Sequence, residues 1–141
     1  MQQFLGQINV QTGGKGLSEF TREAESWVRG HGAGNGLLTL FIRHTSASLI
    51  IQENADPDVK RDLEAYFSRL VPENDPLYIH TIEGPDDMPA HVRSALTQTH
   101  LSIPVSQGEL TLGTWQGIYV FEHRRRPHRR TVSLHLLSDR D

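Results

Sequence analysis

At 141 residues, with 36% hydrophobic content, the chain can build one core but not two, so a single domain over residues 1–141 is expected. Charged residues make up 22% and the net charge is −3, a balance with no global pull toward nucleic acid or an anionic membrane. The absence of cysteine excludes disulfides, thiolate metal sites and a cysteine nucleophile, and suits a reducing, cytoplasmic setting. Residues 1–10 lack the basic and apolar regions of a signal peptide, and no run approaches the roughly 20 apolar residues of a membrane span.

In chain order, residues 3–12 read as a first strand ended by Gly13-Gly14. Ser18 is placed as the N-cap of a helix whose face is Phe20, Ala24, Trp27 and Val28, stopping at Gly30. Gly30, Gly32, Gly34 and Gly36 read as a flexible connection. Residues 37–43 predict a central strand and 47–52 its neighbour. Asp56-Pro57 opens a second helix, an N-cap acid followed by proline at the first helical position, with Val59, Leu63, Phe67 and Leu70 on one face. Asp86-Asp87-Met88-Pro89 repeats that signal before a shorter third helix carrying Val92, Ala95 and Leu96. Residues 101–105, 109–112, 117–123 and 131–137 read as strands, with 124–130 as the turn joining the last two. Without regular βαβ alternation, the class predicted is α+β: a mostly antiparallel sheet or sandwich with about three helices packed on it.

Eight histidines are a high share for this length, and histidine is the commonest metal ligand. Three blocks concentrate the chemistry. The first is His44-Thr45-Ser46-Ala47-Ser48 with Glu53-Asn54, read either as a ligand-facing loop or as a turn whose hydroxyls satisfy local backbone. The second runs from His80 through Glu83, Asp86 and Asp87 to His91. If Asp87 caps the helix, His91 lies one turn on, where the carboxylate can orient the imidazole, and His80 can reach the same point across the loop. The helix N-terminus also suits phosphate. The competing reading is plain capping with surface histidines, and the spacing matches no recognised zinc motif. The third is Gly113-Thr114-Trp115-Gln116-Gly117 followed by Glu122-His123-Arg124. There Trp115 can stack on a flat ring and Gln116 can read a polar edge. Glu122 is either at a wet strand end or a buried acid partnered by a cation. Of the arginines from Arg124 to Arg130, most read as a solvated hairpin tip, with Arg124 and Arg130 the candidates to clamp a phosphate. The acidic remainder of the chain speaks against nucleic acid.

Taken together and in order, the blocks resemble the YjbQ-like family, also called the secondary thiamine-phosphate synthase family. The residues carrying the resemblance are His44-Thr45-Ser46-Ala47-Ser48-Leu49 with Glu53-Asn54 and Asp56-Pro57; Val71-Pro72, His80, Glu83-Gly84 and Asp86-Asp87-Met88-Pro89-Ala90-His91; and Gly113-Thr114-Trp115-Gln116-Gly117-Ile118 with Glu122-His123-Arg124 and Arg130. The match runs from about residue 37 to the end and is more diffuse before it. The additional arginines of the last turn carry no role over from the family.

The resemblance implies an α+β fold assembling as a homotrimer. It also implies thiamine phosphate formation, in which a thiazole nitrogen displaces pyrophosphate from a pyrimidine-methyl diphosphate. The mechanism expected has His44, His80 and His91 converging as ligands of a divalent ion, zinc or magnesium, or as a polar triad. Asp87 orients His91, and Glu122 acts as acid, base or further ligand. Ser46, Asn54, Trp115 and Gln116 contact a phosphorylated heterocycle, with Arg124 and Arg130 on its phosphate. A metal-dependent phosphate or ester hydrolase and a non-catalytic ligand-binding trimer are the alternatives.

Overall fold

A computed structural model describes residues 1–140. The strands are β1 (Gln2–Gln11), β2 (Gly16–Glu19), β3 (Gly36–Ile42), β4 (Ala47–Glu53), β5 (His100–Ser106), β6 (Glu109–Leu110), β7 (Gln116–Glu122) and β8 (Arg129–Ser138). The helices are α1 (Thr21–Gly30), α2 (Pro57–Leu70) and α3 (Asp87–Leu96). A five-stranded sheet runs β1-β8-β3-β5-β6 and a three-stranded one runs β2-β7-β4, with every strand pair antiparallel. This is the α+β architecture expected from the sequence.

Alternation puts one face of each strand of the larger sheet inside: Leu38, Leu40 and Ile42 of β3, Leu101, Ile103 and Val105 of β5, and Val132, Leu134 and Leu136 of β8. Ile118 and Val120 of β7 and Phe20, Ala24 and Val28 at α1 close the same core. Strand β7 is buried on its second face as well, where the Phe121 ring meets Phe67 of α2 edge-on at 5.3 Å. Both faces being covered explains why 117–123 reads as a continuous apolar run.

Several local expectations are corrected. Ser18 is no N-cap: it lies in β2 opposite Val120, and α1 begins at Thr21 after Phe20, with no side-chain cap. The Thr21 hydroxyl instead accepts the Ile118 N–H and donates to Glu19. Asp56 does cap α2, accepting the Asp58 N–H at 2.9 Å. Asp86 stands at the N-cap position of α3 without capping it, because its carboxylate accepts from Arg124 and the Arg125 N–H. The buried face of α3 is Asp87, Pro89, Ala90 and Arg93, whereas Val92 is only half-buried and Ala95 and Leu96 are exposed. Leu70 of α2 is likewise uncovered. The glycine-rich stretch before β3 is pinned rather than loose: Asn35 O accepts from Asp139 N–H, and the Asn35 N–H reaches the Asp139 carboxylate at 2.8 Å. Among the described residues, no helix is long and apolar enough to cross a membrane.

Candidate metal centre

The second block folds into a cluster. The stretch between α2 and α3 carries His80 and Glu83, and the first turn of α3 carries Asp87 and, four residues on, His91. One donor atom from each of these four residues lies within 4.8 Å of the other three. Oδ2 of Asp87 sits 2.7 Å from Nε2 of His80 and 3.0 Å from Nε2 of His91, while Glu83 is 3.7 Å from His80. The other oxygen of Asp87 pairs with Arg124 at 2.8 Å. Burial alone raises the Asp87 carboxyl pKa. Hydrogen bonding to His80 and Glu83, with the charges of His91 and Arg124, reverses this and holds it below the usual carboxylate range.

The ring of His91 is oriented from behind. Its Nδ1 lies 2.9 Å from the Thr45 carbonyl, an acceptor only, so Nδ1 carries a proton. With Nδ1 so engaged, Nε2 is the ring nitrogen left facing Asp87 at 3.0 Å, and it is the atom that would offer a lone pair to a cation held there, as in metal-binding imidazoles backed by a carbonyl. Ligands on a tetrahedral zinc lie about 3.3 Å from one another. A spread of 4.8 Å over two imidazoles and two carboxylates therefore needs only a small contraction, and Glu83 and His80, both exposed, are free to make it. A cleft of about 360 Å³ opens beside His80, between Asn74, Tyr78, Pro85 and Met88.

His44, expected at the same point, lies outside this group. Its Nε2 accepts the Thr131 N–H at 2.8 Å, so Nδ1 holds the proton of the neutral ring. The 3.3 Å approach of Arg130 to Nδ1 thus brings two donors together and makes no hydrogen bond. Burial and then the Arg130 charge lower the His44 pKa, and no lone pair is left for a cation.

Glu122 is fully buried and serves Arg130. Nε and Nη2 of Arg130 grip its two oxygens, Thr12 donates at 2.6 Å, and the N–H groups of His123 and Arg124 add two more bonds. Burial by itself raises the Glu122 pKa, but the Arg130 and Thr12 hydrogen bonds and the Arg130 charge bring it below normal. With its lone pairs filled and its proton held off, Glu122 is placed as an ion-pair anchor, not as an acid or base. Arg130 is 4% exposed and also holds Ser46 through its carbonyl and hydroxyl, which leaves neither residue open to a ligand. Arg124 is likewise taken, by Asp86, Asp87 and the Glu83 carbonyl. Arg130 is closed off by burial, and Arg124 spends most of its donors on carboxylates and a carbonyl of its own chain.

Trp115, Gln116 and Asn54 stand elsewhere. They gather at the start of β7, and six residues at about 3.3 Å each put them about 20 Å along the strand from Glu122. Trp115 is 62% exposed, its carbonyl accepts the Asn54 N–H, and the Gln116 side chain accepts the Gly113 N–H. Within one chain they do not meet the metal cluster.

A further constellation was not read from the sequence. Arg93 of α3 is 1% exposed, forks onto Glu64 of α2 at 3.0 and 2.5 Å, and donates its Nε–H to Nδ1 of His123 at 3.1 Å. Nε2 of His123 is 2.9 Å from the Ser48 hydroxyl, which Thr97 also reaches. The pair looks like a serine nucleophile and its base. Because Arg93 can only donate, however, Nδ1 must accept and Nε2 must carry the proton, so His123 cannot take one from Ser48. Burial first, then the charges of Arg93, Arg130 and Lys15, push its pKa down to about 2. Glu83 and His123 stand inside the family motifs, whereas nothing in the sequence pairs Arg93 with Glu64, since they lie on separate helices.

Comparison with known proteins agrees with the motifs. A profile of the UPF0047 protein YjbQ-like family matches residues 6–139. A UPF0047 protein of Synechocystis is 55% identical over 127 residues, covering 90% of this chain and 86% of that protein. A conserved hypothetical protein from Thermus thermophilus superposes with a TM-score of 0.84 at 35% identity, over 94% of this chain and 99% of that one. A YbjQ-like protein from Sulfolobus solfataricus shares the fold, with a TM-score of 0.88 at 21% identity over 98% of this chain and 99% of that one. The chain belongs to the YjbQ-like UPF0047 family.

Proposed function

We propose that the chain is a metal-dependent enzyme acting on phosphorylated heterocycles, joining a pyrimidine-methyl diphosphate to a thiazole phosphate with release of pyrophosphate. The observation that carries this reading is the convergence of His80, Glu83, Asp87 and His91 within 4.8 Å, with the Thr45 carbonyl setting the His91 ring. The reaction itself comes from the resemblance to thiamine-phosphate synthases of the secondary type. Two imidazoles among four donors favour zinc over magnesium, which takes oxygen ligands. A divalent ion held there would supply the positive charge that a departing pyrophosphate needs.

The chain's own residues divide the work. Arg124 fixes Asp87 by one oxygen and leaves the other for the cluster. His80 and Glu83 close from the connecting stretch, and the cleft beside His80 receives the substrate. Arg124 and Arg130 are engaged internally, so the phosphate charge falls to the ion. Leu77, Ile79 and Ile82, exposed at 84%, 96% and 97% on the stretch that carries His80, support burial of this stretch against another copy of the chain; the family resemblance implies a homotrimer, which light scattering on the purified protein tests. The lack of cysteine fits a cytoplasmic setting.

The test is zinc titration of the metal-stripped protein, then pyrophosphate release with both substrates present. Stoichiometric binding abolished by Asp87→Asn and His91→Ala, with turnover lost in the same variants, is the expected result. Unchanged binding in both variants overturns the assignment. The open side of the cluster at His80 also favours a second reading, hydrolysis of a phosphate ester. Phosphate release that needs no thiazole acceptor selects that reading.

A further inference from the structure

We propose that Arg93 and His123 are positioning residues for the His80–Glu83–Asp87–His91 cluster, an inference that rests on the cation-site reading above. Helix α3 supplies two of the four donors, so its height and rotation against β4 decide whether they meet the other two. Apolar packing alone does not set that height, since the apolar side chains on the buried face of α3 are only the short Pro89 and Ala90, beside Asp87 and Arg93. A row of polar contacts sets it instead, and the row runs in register with the start of β4. His91 Nδ1 donates to the Thr45 carbonyl at 2.9 Å, the Ser94 hydroxyl to the Ala47 carbonyl at 3.0 Å, and the Thr97 hydroxyl to Ser48 at 2.7 Å.

The centre of that row is Arg93, a charged side chain only 1% exposed. Its fork on Glu64 fixes α3 to α2, its Nε–H on His123 fixes α3 to the end of β7, and the guanidinium lies 5.2 Å from the Phe121 ring. His123 relays the contact to Ser48 of β4. Three elements are thereby locked to one helix by directional bonds, each of which fails on a shift of about 1 Å, well short of the 1.5 Å rise of one residue. A neutral His123 suits this position, because it accepts on one side and donates on the other, which no apolar residue of its volume can do.

The experiment uses the full-length chain and three variants: Arg93→Met, His123→Leu, and His123→Asn, whose amide oxygen stands in for Nδ1 as acceptor. Circular dichroism and thermal melting establish that each is folded; should Arg93→Met not fold, His123→Leu decides alone. The first readout needs no metal: in ¹⁵N-histidine-labelled protein the His91 Nδ1–H, held by the Thr45 carbonyl, is expected to exchange more slowly than that of a free histidine. The expectation is that it stays slow in wild type and His123→Asn and becomes fast in His123→Leu and Arg93→Met. The second readout is zinc affinity by competition with a chromophoric chelator. It is expected to fall about 10- to 100-fold in His123→Leu and Arg93→Met, the usual loss on removing support behind a metal ligand, and to be largely restored in His123→Asn. A folded His123→Leu with unchanged His91 exchange overturns the proposal. If the wild-type chain binds no zinc, the cation-site reading fails instead, and the exchange measurement still decides the positioning role.

Discussion

Lowering the pH through the ordinary range of histidine destabilises this fold most through His123, with a smaller share from His44. The His123 ring is wholly buried, accepts from the Arg93 guanidinium and feels the Arg130 and Lys15 charges, and its pKa falls from 6.5 to about 2. In the unfolded chain the ring titrates near 6.5. A folded-state pKa below the unfolded one means that the unfolded chain binds the extra proton, so the stabilisation is complete above pH 6.5 and is lost as the pH falls. Each pH unit below that value removes about 1.4 kcal/mol, so the step from pH 6.5 to about pH 5 removes about 2 kcal/mol. That is a large fraction of the ~5–15 kcal/mol that holds a domain of this size. Urea unfolding of wild type and His123→Asn at fixed protein concentration, at about pH 7.5 and about pH 5, isolates the effect, because the other titrating groups are common to both. The wild-type advantage over the variant should shrink by about 2 kcal/mol between the two conditions. A difference that stays the same at both pH values refutes the assignment of a neutral, buried His123.

Glu122→Ala leaves the Arg130 guanidinium buried without its counter-ion and should cost about 3–5 kcal/mol, read as a fall in urea midpoint. Gly36→Ala drives a Cβ into hard overlap with the Leu137 carbonyl oxygen in the β3–β8 pairing, and at least ~2 kcal/mol of destabilisation is expected in thermal melts. Gly13→Ala, with nothing within 4 Å of its Cβ, should stay within about 0.5 kcal/mol. Asp56→Ala removes the cap of α2 and should lower stability by about 1 kcal/mol in the same assay.

The amino-acid sequence by itself determined the class of fold and nearly every element. Strands and helices follow from local periodicity, turn glycines and the Asp56-Pro57 start, all carried by neighbours along the chain. It also placed His80, Asp87 and His91 on one site, because the i,i+4 spacing and the short connection to α3 make their meeting a local matter. Where the sequence misled, the deciding partner was remote. Ser18 looks like a cap until β7 is there to pair with it, and Arg124, Arg130 and Glu122 look like catalytic equipment until the fold matches each with a buried opposite charge. His44 carries a motif's most reactive side chain, yet the Thr131 N–H takes its lone pair from across the sheet. The tertiary structure alone decided these roles, because burial makes an unpaired charge or donor too costly to keep, and which groups are buried together is a property of packing, not of spacing.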